Sequence, residues 1–118
     1  MRNSIKVNST NQVNKKVLSD RCDVNTTLML IGRRWLMTIL YEISLGNNHF
    51  TSLRKSIPAI SEHMLGTRIS DLVEQKLIIK KEIENTIPLK ISYMVTEKGK
   101  QLLSLIDKLF IWNKNWNN

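Results

Sequence analysis

Cysteine is almost absent from this sequence. Cys22 is the only one among 118 residues, so the chain cannot form an internal disulfide. A structural zinc site needs about four cysteine or histidine ligands, and beside Cys22 the sequence offers only His49 and His63. We therefore expect no bound metal and no cofactor.

Long apolar runs and catalytic motifs are missing as well. No stretch approaches the roughly 18 residues that span a bilayer, and residues 1–16 lack the apolar segment of a secretory signal. We therefore expect a cytoplasmic protein with no membrane partner. The sequence has no glycine-rich phosphate loop and no constellation of nucleophile, acid and base, so an enzyme is the least favoured class.

Acidic residues are scarce relative to basic ones. Ten Asp and Glu stand against eighteen Lys and Arg, which leaves a net charge of +8. Such an excess favours polyanionic partners, nucleic acid before an anionic membrane surface. The length predicts one domain with its own hydrophobic core. We place that domain at residues 21–118, after a polar, flexible basic arm at residues 1–20.

Residues 50–77 contain the pattern that organises the chain. A short helix is predicted to end near Ile57, because the residue before Pro58 is disfavoured in the α region. Ser61 is a candidate N-cap for a second helix. That helix has one apolar stripe, which consists of Leu65, Ile69, Leu72 and Val73. Two short helices around a tight turn predict a helix-turn-helix, with an ordinary helical hairpin as the alternative.

Beyond Leu77 the apolar spacing changes from helical to alternating. Residues 78–83 and 90–95 are predicted strands, and residues 84–89 contain a proline turn between them. A β-hairpin directly after a helix-turn-helix is the winged-helix arrangement. A plain helical hairpin does not predict it.

Two helices are predicted before this unit. Asp23 or Asn25 is a candidate cap for the first, which Gly32 ends. The segment 33–35, Arg-Arg-Trp, is predicted to open the second, which ends at Gly46.

Thr96 is a candidate cap for a last helix over residues 96–116. Four of its apolar residues are expected to face the core: Leu102, Leu105, Ile106 and Leu109. The remaining large apolar residues exceed what one small domain can cover: Leu103, Phe110, Trp112 and Trp116. An exposed apolar patch generally marks an interface, and a second copy of the chain is the simplest partner.

From about Cys22 to Trp116 the sequence resembles the HxlR family of bacterial winged helix-turn-helix transcriptional regulators, which are MarR-like. The resemblance rests on the joint order and spacing of short pieces. They are Cys22, LIGRRW at 30–35, Ile39-Leu40, Phe50, Leu53-Arg54, IPAIS at 57–61, Met64-Leu65, Arg68-Ile69, Leu72, Leu77-Ile78, Tyr93, TEKG at 96–99 and Trp112.

The sequence also departs from the family pattern. Ala59 stands where the family usually has glycine, Ser92 where an acidic residue usually precedes Tyr93, and Gly-Arg-Arg-Trp where Gly-Gly-Lys-Trp is usual. Ala59 indicates that the turn does not require a positive φ.

The resemblance implies a mainly α fold with a small antiparallel β-hairpin (α+β) and a homodimer formed through the N- and C-terminal helices. It also implies binding of operator DNA, usually as a repressor. Some relatives respond to oxidants or electrophiles through a cysteine at the position of Cys22. Two alternatives stay open for this thiol: a reactive thiolate beside Arg21, or a small buried hydrophobe. A redox or small-molecule effector is a candidate partner.

Double-stranded DNA is the expected main partner. The polar face of the second helix supplies four candidates for base contacts: His63, Met64, Thr67 and Ser70. Basic residues are expected to hold the DNA backbone or to lie on the hairpin: Arg33, Arg34, Arg54, Lys55, Arg68, Lys80, Lys81 and Lys90. For Arg68 the alternative is an ion pair with Asp71 or Glu74. The alternative function is a winged-helix protein-interaction module without sequence-specific DNA binding.

Overall fold

The computed structural model describes residues 23–117. Its described residues fall into two units, one that ends at Arg33 and one that begins at Arg34. In the first unit, helix α1 covers residues 23–31. Asp23 and Asn25 both lie within α1, so neither is the N-cap that we expected, since a cap residue has a non-helical backbone. Gly32 follows the helix as predicted, and Cys22 and the predicted arm lie outside the described residues.

The second unit contains the rest of the described elements. In chain order these are α2 (Leu36–Ser44), α3 (Phe50–Ser56), α4 (Glu62–Glu74), β1 (Ile78–Ile83), β2 (Lys90–Val95) and α5 (Glu97–Trp116). The two strands form an antiparallel hairpin, with Ile78 opposite Val95 and Ile83 opposite Lys90. This order confirms the predicted helix-turn-helix followed by a hairpin, in a mainly helical fold.

The hydrophobic core follows the predicted apolar stripes. The buried residues of α2 are Leu36, Ile39, Leu40 and Ile43, and those of α4 are Leu65, Ile69 and Leu72. Val73, which we placed in the same stripe, is only half-buried. Leu53 of α3, Leu77 and Ile78 also belong to the core between the helices and the hairpin. Burial of each such side chain contributes about 1.5–3 kcal/mol, so this packing fixes α4 against the rest of the unit.

Helix α2 begins later than the sequence predicts. We expected residues 33–35 to open it, but it starts at Leu36 and Trp35 is its N-cap. Trp35 has φ 74° and ψ −10°, a left-handed conformation that is unusual for a bulky side chain. The helix ends at Ser44, and Gly46 has φ 98° in the turn that follows. Glycine adopts that conformation without the penalty that other residues incur.

Helix α5 is less covered than the sequence predicts. We expected Leu105 and Leu109 to face the core, yet they are 50% and 46% exposed. Leu103, which we expected to be left over, is half-buried. Helix α5 packs on α2 and β2, and its buried and half-buried residues all lie between Gly99 and Ile106. Within the described residues, no helix is long and apolar enough to cross a lipid bilayer.

Candidate nucleic-acid interface

The helix-turn-helix is held by local hydrogen bonds and two buried isoleucines. The hydroxyl oxygen of Ser61 accepts a bond from the amide of Met64 at 3.0 Å, which confirms the predicted cap of α4. In the turn, the amide of Ile60 donates to the carbonyl oxygen of Ile57 at 3.0 Å, and both side chains are buried. Ala59 is not among the described residues with positive φ, as its identity indicated. The turn therefore sets the angle between α3 and α4 without a glycine.

The polar face of α4 is accessible. His63 and Ser70 are exposed, and Met64 and Thr67 are partly exposed. The hydroxyl of Thr67 donates a 3.0 Å bond to the carbonyl oxygen of His63, one helical turn earlier. This bond uses the single hydroxyl proton and leaves the oxygen as an acceptor. Thr67 is thus suited to receive a hydrogen bond from a base amino group.

Arg68 is bound within the protein. Its Nε donates to the carbonyl oxygen of Arg34 at 2.8 Å, and its Nη1 forms a 3.0 Å ion pair with Asp71. Both ionic side chains are largely buried, with 16% and 17% of their surfaces exposed. The structure thus contains the ion pair with Asp71 that was the alternative to a DNA contact for Arg68.

Other basic side chains lie on the elements next to α4. On the hairpin Lys80, Lys81 and Lys90 are all exposed. Lys81 pairs with Ser92 and Lys90 with Ile83, which puts these two lysines on one face, whereas Lys80 lies on the other.

The remaining cations lie on α3 and before α2. On α3, Lys55 is exposed, while Arg54 is half-buried and its Nε has no hydrogen-bond partner. The guanidinium of Arg34 lies over the ring of Trp35, 4.9 Å from the centroid. Arg33 is exposed and belongs to the first unit.

The hairpin is anchored to the segment before α3. The amide of Tyr93 donates to the carbonyl oxygen of Asn48 at 3.0 Å, and His49 Nδ1 lies 3.0 Å from the carbonyl oxygen of Ile91. Tyr93 is buried, and this burial raises the pKa of its phenol. Beside these contacts a groove of about 550 Å³ opens between His49, Phe50 and β2. These contacts hold the β1–β2 hairpin, the wing, next to the helix-turn-helix.

The end of α4 is tied to the start of α5. The hydroxyl of Thr96 donates to the carbonyl oxygen of Lys76 at 2.7 Å and accepts from the amide of Gly99 at 3.1 Å. The ammonium of Lys98 donates to the carbonyl oxygen of Gln75 at 2.6 Å. These contacts confirm Thr96 as the cap of α5. They also join the helix that carries the polar face to the helix with the exposed apolar surface.

The family is decided by a comparison of sequences. Residues 30–118 match the model of the HxlR-like helix-turn-helix family. The chain belongs to this family. It is a DNA-binding transcriptional regulator of the winged helix-turn-helix type.

Relatives of this HxlR-type regulator include both curated proteins and solved structures. The HTH-type transcriptional regulator YdzF of Bacillus subtilis (strain 168) is 33% identical over 101 residues, which are 85% of this chain and 92% of YdzF. YodB of the same strain, also an HTH-type transcriptional regulator, is 30% identical over 89 residues, 75% of this chain and 79% of YodB. The structure of the redox regulator HypR in its oxidized form has a TM-score of 0.70 at 26% identity, and the match covers 80% of this chain and 96% of HypR.

The HxlR fold brings together most of the predicted DNA-facing residues on α3, α4 and the hairpin. Sequence reasoning missed the exposed positions Leu105 and Leu109 on α5. The sequence does contain a pattern that indicates this exposed stripe. Apolar residues of α5 recur at spacings of 3, 4, 3 and 4 residues: Leu102, Leu105, Leu109, Trp112 and Trp116. This heptad spacing is typical of a helix that packs along another helix.

Proposed function

We propose that this HxlR-type regulator is a repressor that binds an inverted-repeat operator as a homodimer. One observation carries the proposal: the capped α4 presents an accessible polar face between basic side chains of α3 and of the hairpin. A recognition helix of this kind enters the major groove, N-terminal half first. Positive charge on both neighbouring elements suits the phosphates that border the groove.

The residues divide into those that read bases and those that hold the backbone. The proposed base readers are His63, Met64, Thr67 and Ser70, of which Met64 offers an apolar contact to a thymine methyl group. The proposed phosphate contacts are Arg33, Arg34, Arg54, Lys55, Lys80, Lys81 and Lys90. Phosphate contacts fix orientation and carry no sequence information directly. We leave Arg68 out of this second group because its Nε and Nη1 already have partners within the protein.

The homodimer is supported by the exposed stripe of α5. Leu105, Leu109, Trp112 and Trp116 are each about half exposed or more and lie within one narrow arc of the helix, since heptad spacing keeps residues on one side. The helix has 20 residues and is therefore about 30 Å long. Packing of two such stripes would remove four large apolar side chains per chain from water. Phe110, which we also expected at the interface, is exposed on another side of α5, about 100° around the helix from Leu109.

The proposed test is a selection of bound duplexes from a random DNA library at about 150 mM salt, near physiological ionic strength. Recovery of an inverted repeat with half-sites one turn apart, ~34 Å, is expected for a symmetric dimer. Recovery of unrelated sequences would contradict sequence-specific binding. It would favour the alternative of a protein-interaction module whose basic surface binds DNA only through charge.

A redox response is the second candidate. It is favoured by the relatives, since HypR is named a redox regulator and YodB has been solved after diamide treatment. With one cysteine per chain, oxidation would join Cys22 of two protomers, or Cys22 and a small thiol, and pass two electrons to the oxidant. We expect oxidant to release the wild-type protein from its operator and not the Cys22→Ser variant. Equal release of both would dismiss this role, and Cys22 would then be a structural side chain.

A further inference from the structure

Arg68 connects the recognition helix to the turn that precedes α2. Its Nε donates to the carbonyl oxygen of Arg34, 34 positions earlier in the chain. Its Nη1 is paired with Asp71 on the next turn of α4. The planar guanidinium has its donors in a fixed fork, so two acceptors on different sides fix its position. The side chain therefore makes a directional link between α4 and the start of α2.

The carbonyl oxygen that Arg68 binds belongs to an unusual piece of backbone. It lies in the peptide group directly before Trp35, whose φ is 74°. L-residues rarely adopt this left-handed conformation, so it persists only where surrounding contacts hold it. The bond from Arg68 and the position of the Arg34 guanidinium over the Trp35 ring are two such contacts.

Apolar packing alone fixes the rotation of α4 less specifically than a hydrogen bond does. Leu65, Ile69 and Leu72 bury one stripe of the helix, but the hydrophobic effect is non-directional. A hydrogen bond, in contrast, weakens steeply when its geometry changes. Thr67 and Ser70 lie within two positions of Arg68 on the same helix, so a rotation of α4 that breaks the Arg68 bond also moves both proposed base readers.

We propose that Arg68 is a positioning residue of the recognition helix: it fixes the rotation of α4 against the Arg34–Trp35 turn and does not contact DNA. The inference rests on the proposed function in that α4 reads DNA sequence. It assigns Arg68 a different role from the phosphate contact that its charge suggested.

The DNA test compares Arg68→Met, Arg68→Lys and the control Lys81→Gln, a change of an exposed hairpin lysine. Affinity for the selected operator and for a random duplex is measured over a range of salt concentrations. For both Arg68 variants we expect the operator-to-random ratio to fall about tenfold, since a displaced reader costs about as much as one mismatched base pair. The salt slope of log affinity is expected to stay unchanged for both. Lys81→Gln is expected to reduce the magnitude of that slope by ~0.9. Its operator-to-random ratio is expected to stay at the wild-type value.

Two results would overturn the proposal. In the first, Arg68→Met reduces the magnitude of the salt slope by ~0.9, while Arg68→Lys has the slope of the wild type. This is the behaviour of a phosphate contact. In the second, Arg68→Met leaves both the slope and the ratio as they are in the wild type. The proposal is also overturned if Arg68→Met is less stable but keeps the wild-type operator-to-random ratio, because a purely structural role does not alter sequence preference.

A second measurement needs no DNA and stands even if the wild type selects no preferred sequence. In ¹H–¹⁵N spectra of the full chain, the indole signal of Trp35 reports on the turn before α2, and those of Trp112 and Trp116 report on the stripe of α5. We expect Arg68→Met and Arg68→Lys to shift the Trp35 signal and to speed amide exchange in α4, with the other two indoles unchanged. Unaltered Trp35 and α4 signals in the folded Arg68→Lys variant would show that Arg68 does not hold this turn.

Discussion

Gly99 lies directly against the carbonyl oxygen of Leu77, with space for a hydrogen atom but not for a methyl group. The Cγ1 atom of Val95 closes the other side of the same position. Leu77 follows the recognition helix and Gly99 is in the first turn of α5. The close approach therefore fixes the distance between the end of α4, the proposed DNA-reading helix, and α5, the proposed dimerisation helix.

Gly99→Ala is expected to destabilise the protein by about 1–3 kcal/mol, the usual cost of overpacking a filled site. The matched control is Gly66→Ala, because Gly66 lies inside α4 with no atom near its absent Cβ. Alanine there is expected to stabilise by roughly 0.5–1 kcal/mol through its higher helix propensity. Urea unfolding of both variants measures the difference. Equal stability of the two variants would show that the Leu77 carbonyl can move aside at little cost.

Thr67→Val removes the hydroxyl of a proposed base reader and keeps its branched shape. Because the Thr67 proton is bound to the carbonyl oxygen of His63, the oxygen acts as an acceptor and suits the amino group of adenine or cytosine. We expect the variant to lose discrimination at one base pair of each half-site, by about 1–3 kcal/mol. Its salt slope is expected to match that of the wild type.

Lys55→Gln is the control for this experiment, since Lys55 is an exposed cation of α3. Loss of a phosphate contact weakens binding to all sequences alike and reduces the salt slope by ~0.9. If Thr67→Val behaved in this way, Thr67 would contact the backbone and not a base.

Leu109→Glu places a carboxylate in the middle of the exposed α5 stripe. We expect this variant to be monomeric and folded, because a charge buried at an apolar interface without a partner is strongly unfavourable while Leu109 is 46% exposed in the single chain. Ser104→Glu adds the same charge on another side of α5, at an exposed position, and is expected to stay dimeric. Light scattering after size-exclusion chromatography gives both masses. A dimeric Leu109→Glu variant would exclude this stripe as the interface.

Tyr93 makes stability depend on alkaline pH. Burial raises the pKa of its phenol above its ordinary value of 10.0, so the folded chain holds the proton more tightly than the unfolded chain does. This contribution is complete below pH 10 and is lost as the pH rises through the folded-state pKa. We expect the free energy of unfolding to fall between about pH 10, where the unfolded chain loses this proton, and the folded-state pKa, and to fall less steeply in Tyr93→Phe. Denaturant titrations between about pH 8 and 11 test this, and parallel curves for both proteins would contradict it.

Local patterns in the sequence determined most of the fold. Proline before the turn, serine and threonine at the caps, and the change from helical to alternating spacing are short-range signals. They act through backbone sterics and through hydrogen bonds to neighbours three residues away. The helix pair, the hairpin bounds and the caps at Ser61 and Thr96 were therefore predicted correctly. The prediction of DNA binding came from the family resemblance, because no single residue predicts it.

Only the tertiary structure decided the partners of Arg68, the backbone conformation of Trp35 and the exposure of the apolar residues of α5. The charge of Arg68 suits phosphate and carboxylate equally well, and its bond to Arg34 joins residues far apart in the sequence. Trp35 adopts a left-handed conformation that its own propensity opposes, and the peptide group before it accepts a hydrogen bond from Arg68. Leu105 and Leu109 were expected in the core, yet burial depends on where the neighbouring elements end. Sequence spacing shows which residues share a face of a helix, and packing alone determines what that face meets.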